Sequence, residues 1–266
     1  MAVQMHVAHS AMVKGAGVIA GGPYYCAQGS VWTAFYNCMT PGWWTPLPPA
    51  AKLKEATEQL AHRKRIDPLG HLSDARVWLF SGTQDRTVAT VVVRELWAYY
   101  ALFGVKPAMV ADRPAGHAMP TEDAGNKDCG VTRDPWINDC DYDAAGELLR
   151  HLLGSLKPPV KEGPLREFDQ GFAYVPKDCE KGRCRVHVAF HGCRQSGERF
   201  PREAGYNRWA ESNRLIVLYP QVKASFWNPR GCWDWWGYTG ADYHTKDGAQ
   251  IRAVHGMLKK LSGPRK

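Results

Sequence analysis

Apolar positions along this chain fall into two kinds of stretch. Some are short unbroken runs closed by glycine or a polar turn. They are Ala16–Ala20 before Gly21-Gly22, Arg76–Phe80 before Ser81-Gly82, Ala108–Val110, Gly171–Val175, Arg185–Phe190 and Leu215–Tyr219. Runs of that length, rich in β-branched and aromatic residues, predict buried strands. Other stretches are longer and lack breakers. They predict helices over Met1–Met12, Ala50–Arg63, Thr87–Phe103, Asp143–Leu156, Pro201–Ser212 and Gly248–Leu261. Gly104 directly after the third of these is the usual C-terminal stop. Strands alternating with helices predict an α/β fold, a mostly parallel sheet flanked by helices. Pro23–Pro49, rich in Gly, Pro and aromatics, reads as a loop, and residues 118–143 read as irregular. Lys157-Pro158-Pro159 resembles a connector. Strands on both sides of it fit one sheet, so a single catalytic domain over residues 1–266 is expected.

Composition narrows the classes. A chain of 266 residues, 44% hydrophobic and 23% charged, is globular and long enough for one large core. No apolar run approaches the length of a membrane span, so no membrane partner is expected. The opening Met1–Ala20 is interrupted by His6, His9 and Lys14 and lacks a basic leader, so it reads poorly as a signal peptide. The net charge is +8. The basic residues are dispersed apart from His62-Arg63-Lys64-Arg65 and the C-terminal tail, and no nucleic-acid motif accompanies them, so no nucleic-acid partner is expected. A monomer is expected.

Cysteine is more telling. There are eight, and none forms a C-x-x-C pair. Local pairs suit disulfides in an oxidising compartment better than zinc ligation. Proximity suggests Cys26–Cys38, Cys129–Cys140 and Cys179–Cys184, leaving Cys193 and Cys232. Eight cysteines allow on the order of a hundred pairings, so proximity is a guide only. Such a protein is expected to be secreted or periplasmic, although no export signal is visible in the sequence.

Two residues point to chemistry. Asp85 follows a strand in Ser81-Gly82-Thr83-Gln84-Asp85, and His117 follows the next in Gly116-His117-Ala118-Met119-Pro120-Thr121. A carboxylate that fixes an imidazole tautomer lets the other ring nitrogen take a proton from a nucleophile. An ordinary imidazole pKa of about 6.5 suits both base and acid roles. Taken alone, Asp85 also reads as a turn or cap residue ahead of the following helix. A third piece is Val188-Ala189-Phe190-His191-Gly192-Cys193-Arg194-Gln195, an apolar strand entering a polar turn. That is the form of an oxyanion loop, with the Cys193 N–H as donor. The usual α/β-hydrolase places this loop before nucleophile, acid and histidine. Here acid and histidine come first, the order a circularly permuted sheet would give.

These runs, with Ile19–Cys26 and Asn228-Pro229-Arg230-Gly231-Cys232-Trp233-Asp234-Trp235-Trp236-Gly237, resemble the extracellular polyhydroxybutyrate (PHB) depolymerases and related esterases, which have a circularly permuted α/β-hydrolase fold. The resemblance implies a carboxylic-ester hydrolase with a Ser-His-Asp acyl-enzyme mechanism, a polyester or ester substrate and no cofactor or metal. It implies Asp85 as acid, His117 as base, Cys193 as oxyanion donor bridged to Cys232, and Asn228 and Trp233 lining the substrate cleft. In that family the run matching Met1-Ala2-Val3-Gln4 directly follows a Gly-x-Ser-x-Gly nucleophile elbow. The resemblance therefore implies that the N-terminal strand, elbow and serine lie upstream of Met1, and that the chain as written is inactive. Ser10, inside the first predicted helix, cannot occupy a strand-to-helix turn.

Three rival readings stay open at this point: an esterase acting on acetyl or feruloyl groups of plant polymers, a non-catalytic ester binder, and a thiol hydrolase using a free cysteine. Of the eleven tryptophans, Trp43-Trp44 are expected to pack and Trp233 to serve a cleft.

Overall fold

The computed structural model describes residues 1–122, 125 and 127–262. In chain order its elements are α1 (Ala2–Ala8), β1 (Gly15–Ile19), α2 (Ala50–His62), β2 (Arg76–Phe80), α3 (Thr90–Ala101), β3 (Ala108–Val110), β4 (Met119–Thr121), β5 (Lys127–Asp128) and β6 (Ile137–Asp139). Then follow α4 (Ala144–Leu153), β7 (Arg166–Glu167), β8 (Gly171–Tyr174), β9 (Arg185–Val188), α5 (Arg199–Glu203), α6 (Tyr206–Ser212), β10 (Leu215–Pro220) and α7 (Ala249–Ser262). The chain divides into two compact units. The first comprises Met1–Ala118, Asp128–Thr132 and Asp234–Arg252, and the second Met119–Lys127, Arg133–Trp233 and the residues from Ala253 onward. The Pro158-Pro159 connector lies inside the second unit and marks no boundary.

In the first unit β1, β2 and β3 form a parallel sheet in that order. Gly15 pairs with Arg76 and Ile19 with Phe80, while Trp78 pairs with Ala108 and Phe80 with Val110. Val77, Trp78, Leu79 and Phe80 are all buried, as a central parallel strand covered on both faces requires. Parallel neighbours need crossovers. Helices α2 and α3 supply them, α3 packing on β2 and α2 on α3, while α1 packs on β1. The core between them is rich in tyrosine, and each buried hydroxyl finds a partner. Tyr99 Oη meets Thr57 Oγ1 at 2.9 Å, and Tyr100 Oη meets His6 Nδ1 at 2.9 Å.

Two helices there are shorter than the pattern predicts. Helix α1 ends at Ala8 because His9 leaves the helical region, and the Ala11 N–H donates to Asp67 Oδ2. Ser10 thus lies past the helix, buried, with its hydroxyl on the Pro68 carbonyl. Helix α3 starts at Thr90 because Ala89 is extended, with φ −62° and ψ 142°. Thr87 and Val88 donate to Asp85, and Ala89 to the Met39 carbonyl.

The second unit carries a mixed sheet in the order β7-β8-β10-β9. Strand β10, buried from Leu215 to Pro220, runs parallel to β9 and antiparallel to β8. Ile216 and Leu218 pack against Met257 and Leu261 of α7. The single helix predicted over Pro201–Ser212 is broken at Gly205, whose φ of 86° gives α5 and α6 separate axes. Residues 118–143 are less irregular than expected. Met119–Thr121 and Ile137–Asp139 pair as parallel strands, too short for periodicity to register. Asp143 caps α4 by accepting the Gly146 N–H, a bond typically worth about 1 kcal/mol.

Disulfides join Cys26–Cys38, Cys179–Cys184 and Cys193–Cys232. Cys129 and Cys140 are also disulfide-bonded, so no free thiol remains among the described residues. Trp43 and Trp44 do not pack as expected. They are 88% and 90% exposed, on the loop after the Cys26–Cys38 bridge.

Candidate functional site

The first unit brings Asp85 and His117 together. Strand β2 ends at Phe80, and the chain continues alongside the segment leaving β3. Ser81 N donates to Val110 O, Thr83 N to Arg113 O and Gln84 N to Ala115 O, at 2.8–3.1 Å. Those bonds carry the strand register into the two loops. The approach is so close that a Cβ on Gly82 would stand 2.0 Å from the Ala115 oxygen. A Cβ on Gly116 would stand 2.6 Å from the Gly130 oxygen. Glycine is required at both positions because backbone meets backbone there.

Asp85 sits in the turn that this contact creates. Its Oδ1 accepts the amides of Thr87 at 2.8 Å and Val88 at 2.9 Å. Its Oδ2 lies 2.8 Å from His117 Nδ1. The turn role and the bond to the imidazole therefore coexist, one oxygen for each. The Asp85 side chain is 1% exposed and that of His117 32%, so the carboxyl is sealed while the ring reaches the surface. An accepting carboxylate places the proton on Nδ1 and leaves the Nε2 lone pair available as a base. Among the described residues no hydrogen bond engages Nε2. The His117 backbone is fixed as well: its N–H donates to Thr132 Oγ1 at 2.9 Å, and Gly116 N donates to Cys129 O at 2.8 Å. Thr132 and Gly130 were missed by sequence reasoning. They lie in the stretch read as irregular and carry no local signal of their own.

The loop expected to carry the oxyanion donor lies in the second unit. Beyond β9 the chain passes buried His191 to exposed Gly192, Cys193 and Arg194. Arg194 has a φ of 65°, a left-handed conformation that non-glycine residues adopt at some cost. It is held by its N–H, which donates to Arg230 O at 2.7 Å. Cys193 is tied to Cys232 with Cα atoms 4.2 Å apart. Asn228 and Trp233, expected to line a cleft, are both buried. Asn228 Nδ2 donates to Cys232 O at 2.8 Å, and its Oδ1 accepts the Cys232 N–H at 2.9 Å, so this side chain shapes the loop that carries the disulfide. Trp233 packs edge-on against Phe190 at 5.1 Å, and its indole Nε1 has no hydrogen-bond partner among the described residues.

With every cysteine bridged, the thiol-hydrolase reading is excluded. No cluster of His, Cys, Asp and Glu suited to a metal ion occurs among the described residues. Nor is any described helix long and apolar enough to cross a membrane.

No family model matches the chain. Curated relatives do. The chain is 41% identical over 290 residues to a poly(3-hydroxybutyrate) depolymerase of Delftia acidovorans, an alignment covering 98% of this chain and 57% of that protein. It is 33% identical over 298 residues to a polyhydroxybutyrate depolymerase of Talaromyces funiculosus, covering 98% of this chain and 86% of that protein. The chain thus spans little more than half the length of the Delftia relative. Among solved structures, a PHB depolymerase variant with serine replaced by alanine, complexed with an R3HB trimer, superposes with a TM-score of 0.86 at 32% identity, covering 97% of this chain and 90% of that one. The parallel strands flanked by helices are accordingly of α/β-hydrolase type, and the chain belongs to the PHB depolymerase family.

Proposed function

We propose that this chain is the catalytic domain of a polyester hydrolase, cleaving short-chain polyhydroxyalkanoates or their oligomers through an acyl-enzyme. The observation that carries the reading is the 2.8 Å bond between His117 Nδ1 and Asp85 Oδ2 in a chain of this family. A serine Oγ attacks the ester carbonyl while its proton passes to His117 Nε2. Asp85 orients the ring and stabilises the imidazolium. The Cys193 N–H, with the N–H of the residue after the serine, holds the oxyanion. Collapse expels the alcohol, which takes the proton back from His117. Water then gives a proton to His117 and attacks the acyl group, releasing the acid and restoring the serine. We assign Asn228 and Trp233 to the support of the oxyanion loop that meets the substrate. The mechanism requires no metal or cofactor.

The serine in this reading belongs to a Gly-x-Ser-x-Gly elbow and is not Ser10: the Ser10 hydroxyl is committed to Pro68, and the solved relative holding an oligomer is a serine-to-alanine variant. The bridged cysteines support a secreted or periplasmic location.

The test joins such an elbow to the N-terminus and follows hydrolysis of an (R)-3-hydroxybutyrate trimer, an acetylated xylan and a feruloyl ester. Faster turnover of the trimer, absent in the chain without the elbow, is expected. A folded elbow-bearing protein that prefers the feruloyl or acetyl ester replaces the substrate. One that binds the trimer but cleaves nothing is a binder.

A further inference from the structure

We infer that His191 and Gln195 are positioning residues for the oxyanion donor, locking the peptide between Gly192 and Cys193 so that the Cys193 N–H faces outward. The inference rests on the ester-hydrolase reading above. The Gly192 carbonyl and the Cys193 N–H belong to one rigid trans peptide plane and point in opposite directions. Fixing one aims the other. The Gly192 oxygen accepts His191 Nδ1 at 2.7 Å and the Gln195 N–H at 3.2 Å. The amide on the other side of Gly192 donates to Gln195 Oε1 at 2.7 Å. Gln195 is itself anchored, its Nε2 donating to Trp136 O at 2.9 Å and Pro135 O at 3.3 Å.

Cys193 is exposed, and its N–H makes no hydrogen bond among the described residues. A half-turn of this plane would replace the donor by a carbonyl oxygen, whose dipole repels an oxyanion. Position Arg194, with φ at 65°, follows as the third residue of the turn closed by the Gln195 N–H. His191 is 2% exposed, so its side chain acts through the loop. Its Nε2 accepts the Val222 N–H at 3.1 Å, so the ring is the neutral tautomer with hydrogen on Nδ1. Burial also holds its pKa below the usual histidine value.

The test uses the elbow-bearing protein with p-nitrophenyl butyrate. His191→Leu removes the donor to Gly192, and Gln195→Met removes both amide contacts. Each is expected to lower kcat roughly 10- to 100-fold, the scale of a misplaced oxyanion donor, with KM unchanged. His191→Asn, which keeps an N–H where Nδ1 stands, is expected to recover most of kcat. A merely structural role would not give that split or that rescue. Should His191→Leu fail to fold, half-buried Gln195 decides the matter. A folded Gln195→Met with parental kcat, or with a change in KM alone, overturns the inference while leaving the hydrolase reading intact. A parent protein that does not turn over ester overturns both.

Discussion

The loops that carry Asp85 and His117 and the loop that carries Cys193 are held in place by different means. Around Asp85 and His117 the restraint is backbone against backbone, with Gly82 on Ala115 and Gly116 on Gly130 leaving no room for a Cβ. Around Cys193 the restraint is side chain on backbone. His191, Gln195 and Asn228 each spend their polar atoms on main-chain groups, and a disulfide closes the loop. The first design tolerates almost no substitution at its glycines. The second concentrates its dependence in a few polar side chains. A proton-transfer pair needs fixed distances, which close backbone contact gives. An oxyanion donor needs a fixed direction, which hydrogen bonds to one peptide plane give.

Acid should break both regions alike, and with the largest effect. Burial lowers the pKa of His6 and His244 in the first unit and of His187 in the second to about 4. The unfolded imidazoles titrate near 6.5, so the unfolded chain takes up protons first as pH falls. The stability that these neutral rings contribute is complete above pH 6.5 and is lost between there and pH 4. The loss is of the order of 3 kcal/mol per ring. Urea melts at pH 7 and pH 4.5 check this. A midpoint that does not move contradicts the burial of these rings.

The next effects separate the regions. Asp85→Asn in the elbow-bearing protein should leave folding intact and cut kcat by about 10⁴-fold, because the imidazole loses its tautomer lock. Removing the Cys193–Cys232 bridge by alanine at both positions should cost about 4 kcal/mol, the loop-closure value for a separation of 39 residues. Thermal melts under oxidising conditions read it, and an unchanged melting temperature would leave the bridge without a stabilising role. Gly82→Ala should cost about 1–3 kcal/mol and most of the activity, since the added carbon meets a fixed carbonyl. Gly192→Ala meets only the end of the Gln195 side chain, at 2.7 Å, which can swing aside. Its stability loss should stay under about 1 kcal/mol while kcat falls, because Gln195 has left its post. Equal losses at the two glycines would erase the contrast between the regions.

Much of this was legible in the sequence. The bounds of β2 and β3 follow from apolar runs closed by a polar turn or Pro and glycine, and those two strands position Asp85 and His117. The dyad itself was readable because each residue follows a strand in a run that carries a glycine, Gly82 three residues before Asp85 and Gly116 directly before His117. What escaped was set by contacts far along the chain. Nothing near Thr132 announces that its hydroxyl will hold the His117 amide. Gln195 looks like any turn glutamine until Trp136 is found beside it. Asn228 carried a motif but not its use, which depends on the shape of a loop closed by Cys232. Helix α3 begins late because Ala89 is extended, its amide on the Met39 carbonyl, and pattern alone cannot show such a distant contact.

The most direct test of the account is mass spectrometry of the elbow-bearing protein after treatment with an alkyl fluorophosphonate, with His117→Ala alongside. The account predicts a single phosphonyl adduct on the elbow serine, formed quickly in the parent and far more slowly without His117. A folded parent that gains no adduct, or an adduct whose rate is indifferent to His117, would contradict it.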